Sequence, residues 1–140
     1  MSTAFYLPMV GLATLTLVVW ALAVQRRVRE IRVRRIPLRS LAHARDVATA
    51  LEDCRAMDNF NNLLQVPVLF YAVCLVLAQT GQDGPLFVAG AWGFVLLRVV
   101  HSAIQVGANR VPQRFYAWMA STLVLFGLWA GLAVQLLSNA

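Results

Sequence analysis

The chain has 140 residues, 60% of them hydrophobic and only 13% charged, with a formal net charge of +6. A water-soluble domain carries roughly a quarter charged residues, so this composition excludes one and points to a membrane. All twelve basic residues are Arg, and seven of them crowd one stretch between two apolar runs, so the charge reads as topology and lipid-headgroup attraction before any nucleic-acid surface.

The first apolar run, Phe5 to Val24, is long enough to cross roughly 30 Å of hydrocarbon. Its leading flank, MSTA, has no positive charge and the basic cluster follows it. An uncleaved first helix with its N-terminus outside is therefore expected, not a removable signal. The cluster itself, QRRVREIRVRRIPLRS at residues 25–40, is interrupted by Pro37. A second helix is expected to start between Ser40 and Asp46 and to continue unbroken through the apolar run Leu63 to Ala78. TGQDGP, residues 80–85, reads as a tight turn from its Gly and Pro content. The third span begins at Pro85, and NRVPQR, residues 109–114, leads into the fourth, with Pro112 suited to a first helical turn.

These readings give one domain, residues 1–140, with spans of about 5–25, 47–79, 85–107 and 112–137. Short connections make consecutive helices antiparallel neighbours, which predicts an all-α, up-down four-helix membrane bundle. The positive-inside rule puts the Arg-rich first loop and the third loop in the cytoplasm and both termini outside. Gly127 and Gly131 form a GxxxG pattern, expected to pack inside the bundle or between subunits.

Polar residues gather where the second span begins. Glu52, Arg55, Asn59 and Asn62 fall on one stripe of a continuous helix, with Asp58 beside it. On the third span Arg98, His101, Ser102 and Gln105 make another stripe, and Arg110 and Arg114 follow at the same depth. Each ionisable group at membrane depth costs about 2.5–3.5 kcal/mol unless paired or hydrated. The stripes are read two ways: an internal network, with Arg55 or Arg98 paired to Glu52 or Asp58 and with Asn59 and Asn62 bridging helices, or a water-accessible pocket for an anionic ligand. Cys54 and Cys74 are too far apart on one helix for a disulfide, and neither they nor His43 and His101 have metal-ligand spacing.

Arg55-Ala-x-x-Asn59 followed by Pro67, and the spacing of Arg98, His101, Arg110, Pro112 and Arg114, resemble the MAPEG family, the membrane-associated proteins of eicosanoid and glutathione metabolism. Residues 98–118 are similar in pattern to the family's microsomal prostaglandin E synthase branch. The resemblance implies a homotrimer in which glutathione binds between subunits near the cytoplasmic side. It implies Arg114 as the group that stabilises the glutathione thiolate. Arg55, Asn59, Asn62, Arg98, His101, Gln105, Arg110 and Tyr116 are the expected ligand-binding set. Several positions depart from the family pattern: a Glu is replaced by Asn62, a basic residue by Asp58, and two Tyr by Gln105 and Trp118.

The function expected is a glutathione-dependent transferase or peroxidase acting on lipophilic electrophiles that arrive from the bilayer. The alternative is a non-catalytic protein of the same fold that binds membrane lipid or another anionic ligand, or serves as a partner subunit. A transporter is disfavoured because no pair of broken helices is evident.

Overall fold

The computed structural model describes residues 2–138. Four helical units are long and apolar enough to cross a membrane: Tyr6–Arg34, Arg55–Gln79, Pro85–Val106 and Val111–Ser138. The first is helix α1 (Tyr6–Arg34), whose 29 residues extend about 43 Å. That exceeds the hydrocarbon thickness, so its last turns carry the Arg cluster out of the apolar zone. It ends at Arg35, held in the left-handed region at φ 51°.

The second span is not one unbroken helix, and here the sequence expectation is corrected. A short helix α2 (Ala44–Ala50) stops at Leu51, which adopts extended backbone. Helix α3 (Arg55–Leu63) then begins afresh after a non-helical linker of residues 51–54. It ends in turn at residues 64–66, and α4 (Pro67–Gln79) continues the span. Pro67 causes this second break: it has no N–H to donate and its ring clashes with the preceding turn, so it occupies the first position of a new helix. Tight i→i+3 bonds, Leu64 N to Asn61 O and Gln65 N to Asn62 O, carry the chain through the bend. The expected stripe therefore loses Glu52, which lies in the linker, exposed and paired with Arg34 at 3.4 Å.

Helices α5 (Pro85–Val106) and α6 (Val111–Ser138) pack along their length. The bend lets the second span serve two neighbours: α3 lies against α1 and α5, whereas α4 leans on α6. Between them sits an apolar core that includes Leu12, Phe70, Leu77, Phe94, Leu125 and Leu132. Phe70 and Phe94 stack at 4.6 Å between centroids. The outer faces show Leu17, Val18, Leu69, Leu96 and Leu123, as helices bathed in lipid should.

The two glycines of the GxxxG pattern play different parts. Gly131 gives Phe87 its place, since an added Cβ would lie 3.0 Å from that ring, whereas a Cβ on Gly127 would meet nothing within 4 Å. Gly107 is the position where a side chain is least tolerable. It ends α5 with φ −89° and ψ −109°, and a Cβ there would sit 2.8 Å from the backbone oxygen of Ala103. That oxygen belongs to the helix and cannot move aside. Gly107→Ala is expected to cost about 1–3 kcal/mol and lower the thermal midpoint in detergent. Gly127→Ala, by contrast, should leave the midpoint unchanged or slightly raised.

Candidate functional site

One end of the bundle, where α1 and α5 finish and α3 and α6 start, holds the polar residues. The α5 terminus is tied down first. Val106 and Gly107 leave carbonyls without helical partners, and two guanidiniums take them: Arg26 Nη1 donates to Val106 O at 3.0 Å and Arg55 Nη1 to Gly107 O at 2.6 Å. Asp53 binds both cations together, with Arg55 in a two-pronged contact at 2.8 and 3.0 Å and Arg26 at 3.3 Å. Glu30, Asp53 and Glu52 are thus the acids that meet arginines, and neither Arg55 nor Arg98 pairs with Glu52 or Asp58 as the internal-network reading expected.

Deeper in, the buried side chains of Asn59, His101 and Gln105 meet at one end of the Gln105 amide. Asn59 Nδ2 donates to Gln105 Oε1 at 2.9 Å, and His101 Nε2 lies 2.8 Å from the same oxygen. His101 Nδ1 is 2.8 Å from the carbonyl of Arg114. A carbonyl can only accept, so Nδ1 carries a proton. In a neutral ring Nε2 then accepts, which requires the Gln105 amide to present its N–H there and Asn59 to present its oxygen to Gln105. The amide pair can run in either direction, and its sense is set by the imidazole.

Arg98 is the largest fully buried side chain among the described residues, 0% exposed. Its Nη1 donates to Asn62 Oδ1 at 2.7 Å, and its guanidinium lies over the Phe94 ring at 5.3 Å. Nε and Nη2 are buried without a hydrogen-bond partner among the described residues. The Phe70–Phe94 stack therefore forms the floor that separates this cation from the apolar core below.

A hollow of about 210 Å³ opens beside this layer, lined by Asn62, His101, Gln105, Val111, Arg114, Phe115 and Trp118. Asn109, in the left-handed region at φ 50°, turns its side chain to receive Arg114 Nη1 at 2.6 Å. Of the residues singled out in the sequence, Asn59, Asn62, Arg98, His101, Gln105 and Arg114 come together. Asn62, His101, Gln105 and Arg114 line the hollow, Asn59 and Arg98 are buried behind it, and the remaining three lie apart from it. Arg55 is turned to Asp53 and the α5 terminus, and Arg110 is exposed in the connection. Tyr116 is 70% exposed. At 100° per residue, Tyr116 points away from the face shared by Arg114 and Trp118, and Phe115 takes the lining position instead. Ser102 leaves the stripe as well: it is buried toward a groove between α1 and α5.

Sequence reading missed Asn109, and it placed Asp53 only among the acids facing the arginines of this layer, without its pairing to Arg26 and Arg55. The pairing of Asp53 was hidden by the assumption of continuous helix, which placed it off the stripe. Asn109 carried a legible signal, an Asn three residues before Pro112 and two after Gly107, since Asn tolerates the left-handed region that a helix exit needs. Cys54 lies beside these groups, in a cleft between α1 and α3. Burial, then the nearby Asp58 charge, pushes its thiol pKa up, which disfavours the thiolate.

Four apolar spans converging on a buried guanidinium and amide layer at one end define an integral, multi-pass membrane protein with an internal polar site. The model of the MAPEG family matches residues 5–134, nearly the whole chain, and the chain belongs to that family. No curated protein and no solved structure gives a match.

Two outcomes follow from this geometry. Gln105→Leu strands Asn59 and the imidazole in a dry layer and should destabilise by about 1–3 kcal/mol. The double variant Asn59→Leu/Gln105→Leu should cost less than the sum of the two single changes, read from thermal melts in detergent. The Arg55 hydrogen bonds hold the Asp53 carboxyl below its usual range, against the opposing effect of burial. A depressed folded pKa stabilises above the unfolded value and is lost as pH falls through the folded one. The midpoint difference between wild type and Asp53→Asn should therefore be flat from pH 7 to 5 and shrink below about pH 4.

Proposed function

We propose that the hollow binds glutathione and activates its thiol for attack on lipophilic electrophiles, with Arg114 stabilising the thiolate. The observation that carries this reading is the placement of Arg114. It is half-buried on the first turn of α6, steered by Asn109, and lines a hollow with no acidic residue in its wall. Only Nη1 of that guanidinium is bonded among the described residues, leaving further N–H groups for a ligand. The donor set fits an anionic thiol. A guanidinium at the rim favours thiolate over thiol through charge and hydrogen bonding, which raises the concentration of nucleophile at neutral pH.

Each residue then has a chemical task. Arg114 holds negative charge at the sulfur position. His101, fixed at Nδ1 by the Arg114 carbonyl, keeps the start of α6 in register with α5. Asn59 and Gln105 hold the imidazole from behind. Val111, Phe115 and Trp118 form the apolar wall at which an electrophile from the bilayer would meet the sulfur. In the transfer step a sulfur–carbon bond forms as the electrophile's bond to its leaving group breaks, the thiol proton having gone to water at the rim.

About 210 Å³ is smaller than the 300–1,000 Å³ of a usual small-molecule site, so one subunit supplies only part of the enclosure. We assign the remainder to a neighbouring copy in a homotrimer, whose surface would bring Arg55, Arg110 and Tyr116 to the ligand. The Arg-rich loop and the site would then lie on the cytoplasmic side, with both termini outside.

The test is calorimetric titration of the detergent-purified protein with glutathione, alongside turnover of an aryl halide. Arg114→Ala should reduce turnover by about 10²-fold or more with assembly intact. Turnover equal to wild type would show that Arg114 does not stabilise the thiolate. No binding by a well-folded protein would favour the same fold acting as a non-catalytic lipid- or partner-binding subunit.

A further inference from the structure

Ser102 is a polar side chain for which the hollow has no use. It is 3% exposed, and its hydroxyl is buried without a hydrogen-bond partner among the described residues. A hydroxyl on a membrane helix normally donates to a carbonyl three or four residues back, as Thr14, Thr16, Ser121 and Thr122 do here. Ser102 does not. It lines a groove of about 330 Å³ between α1 and α5 that shares no residue with the hollow.

The groove is apolar along Leu15, Val18 and Leu22 of α1 and Val99 and Ala103 of α5, and it ends at Arg26. On α1 the same helical spacing continues to Arg29, so one stripe passes from hydrocarbon side chains to guanidiniums. Leu15 to Arg26 covers about 16 Å of helix, half of a hydrocarbon core of roughly 30 Å and so the reach of one leaflet's acyl chain. Among the described residues, Arg26 uses only Nη1 for Asp53 and Val106 and keeps its other N–H groups. Arg29 is exposed and meets no carboxylate among those residues. Ser102 lies about 6 Å further in along α5, one turn before the Val106 carbonyl that Arg26 holds. A glycerophospholipid has the matching order of groups: a phosphate, then an ester carbonyl a few bonds inward, then an acyl chain. A free fatty acid has no second acceptor and would leave Ser102 unpaired.

We infer that this groove binds one anionic glycerophospholipid. Its acyl chain lies along Leu15, Val18 and Leu22, its ester carbonyl accepts from Ser102, and its phosphate meets Arg26 and Arg29. A headgroup without an ammonium is preferred, because Arg29, Arg32 and Arg35 stand exposed at this end and no carboxylate neutralises them among the described residues. The site is separate from the hollow and does not depend on the thiol-binding reading.

The experiment is native mass spectrometry of the detergent-purified protein, titrated with dioleoyl phosphatidylglycerol or with phosphatidylcholine of the same chains. The expected result is one phosphatidylglycerol per subunit, held at least about tenfold more tightly than phosphatidylcholine. Arg29→Gln should shrink that preference about fivefold. Ser102→Ala should weaken both lipids alike, since both carry the ester. Ala103→Phe fills the groove and should abolish the retained lipid. Equal retention of the two lipids by the wild type overturns the inference and leaves an ordinary lipid belt. Undiminished phosphatidylglycerol in Ala103→Phe also overturns it and moves the contact elsewhere on the Arg cluster. Retention of neither lipid overturns it in favour of a protein surface, such as a second copy, covering the groove. If Ala103→Phe does not assemble, the other two variants decide: an unchanged preference in Arg29→Gln with unchanged affinity in Ser102→Ala overturns the assignment.

Discussion

The burial of Arg98 is the constraint to which the rest of the polar end answers. A guanidinium inside an apolar bundle is tolerated only where something replaces its water, and at this depth that replacement is the Asn62 oxygen and the face of Phe94. Both come from specific features of the fold. Phe94 is one turn before Arg98 on α5, and its ring is pinned by stacking on Phe70 of α4. Asn62 reaches Arg98 because α3 lies against α5, and α3 can do so because Pro67 releases it from the path of α4. The kink thus lets one span place amides on α5 at the polar end and aromatic rings in the core below.

A second device fixes the same end from outside. The last carbonyls of α5 are held by Arg26 from α1 and Arg55 from α3, and Asp53 joins those two cations. Two helices are therefore tied to the terminus of a third before any ligand is considered. Charges this exposed contribute little to stability singly, but they fix geometry. The exit of α5 through Gly107 and Asn109 sets where Arg114 begins α6, and so where the hollow opens.

The spans and the bundle were legible because lipid imposes a length and a composition that few soluble sequences imitate. The α5 stripe was legible for an equally simple reason: Arg98, His101 and Gln105 lie on an unbroken helix, where spacing alone decides the face. The second span misled where it was broken. Glu52 and Arg55 share a stripe only if the helix runs through residues 51–54, and Leu51 is extended there. Tyr116 misled for want of phase, since a residue two positions from Arg114 faces the other way. Asp53 could not be found from periodicity at all, because its role comes from a linker that brings it between two helices distant in sequence.

The outward side of α3 bears on assembly. Asp58 and Asn61, at the cleft between α1 and α3, and Gln65, in the bend after α3, are exposed in a membrane span, where polar groups facing hydrocarbon are costly. Their positions are the opposite of what lipid would select, while α1, α4 and α6 show lipid ordinary apolar faces. A protein surface or a shared aqueous crevice removes that conflict, and a copy of the same chain is the surface always at hand. The trimer we propose thus answers two separate deficits of the single subunit: a hollow too small to enclose a peptide, and a polar stripe that hydrocarbon cannot solvate.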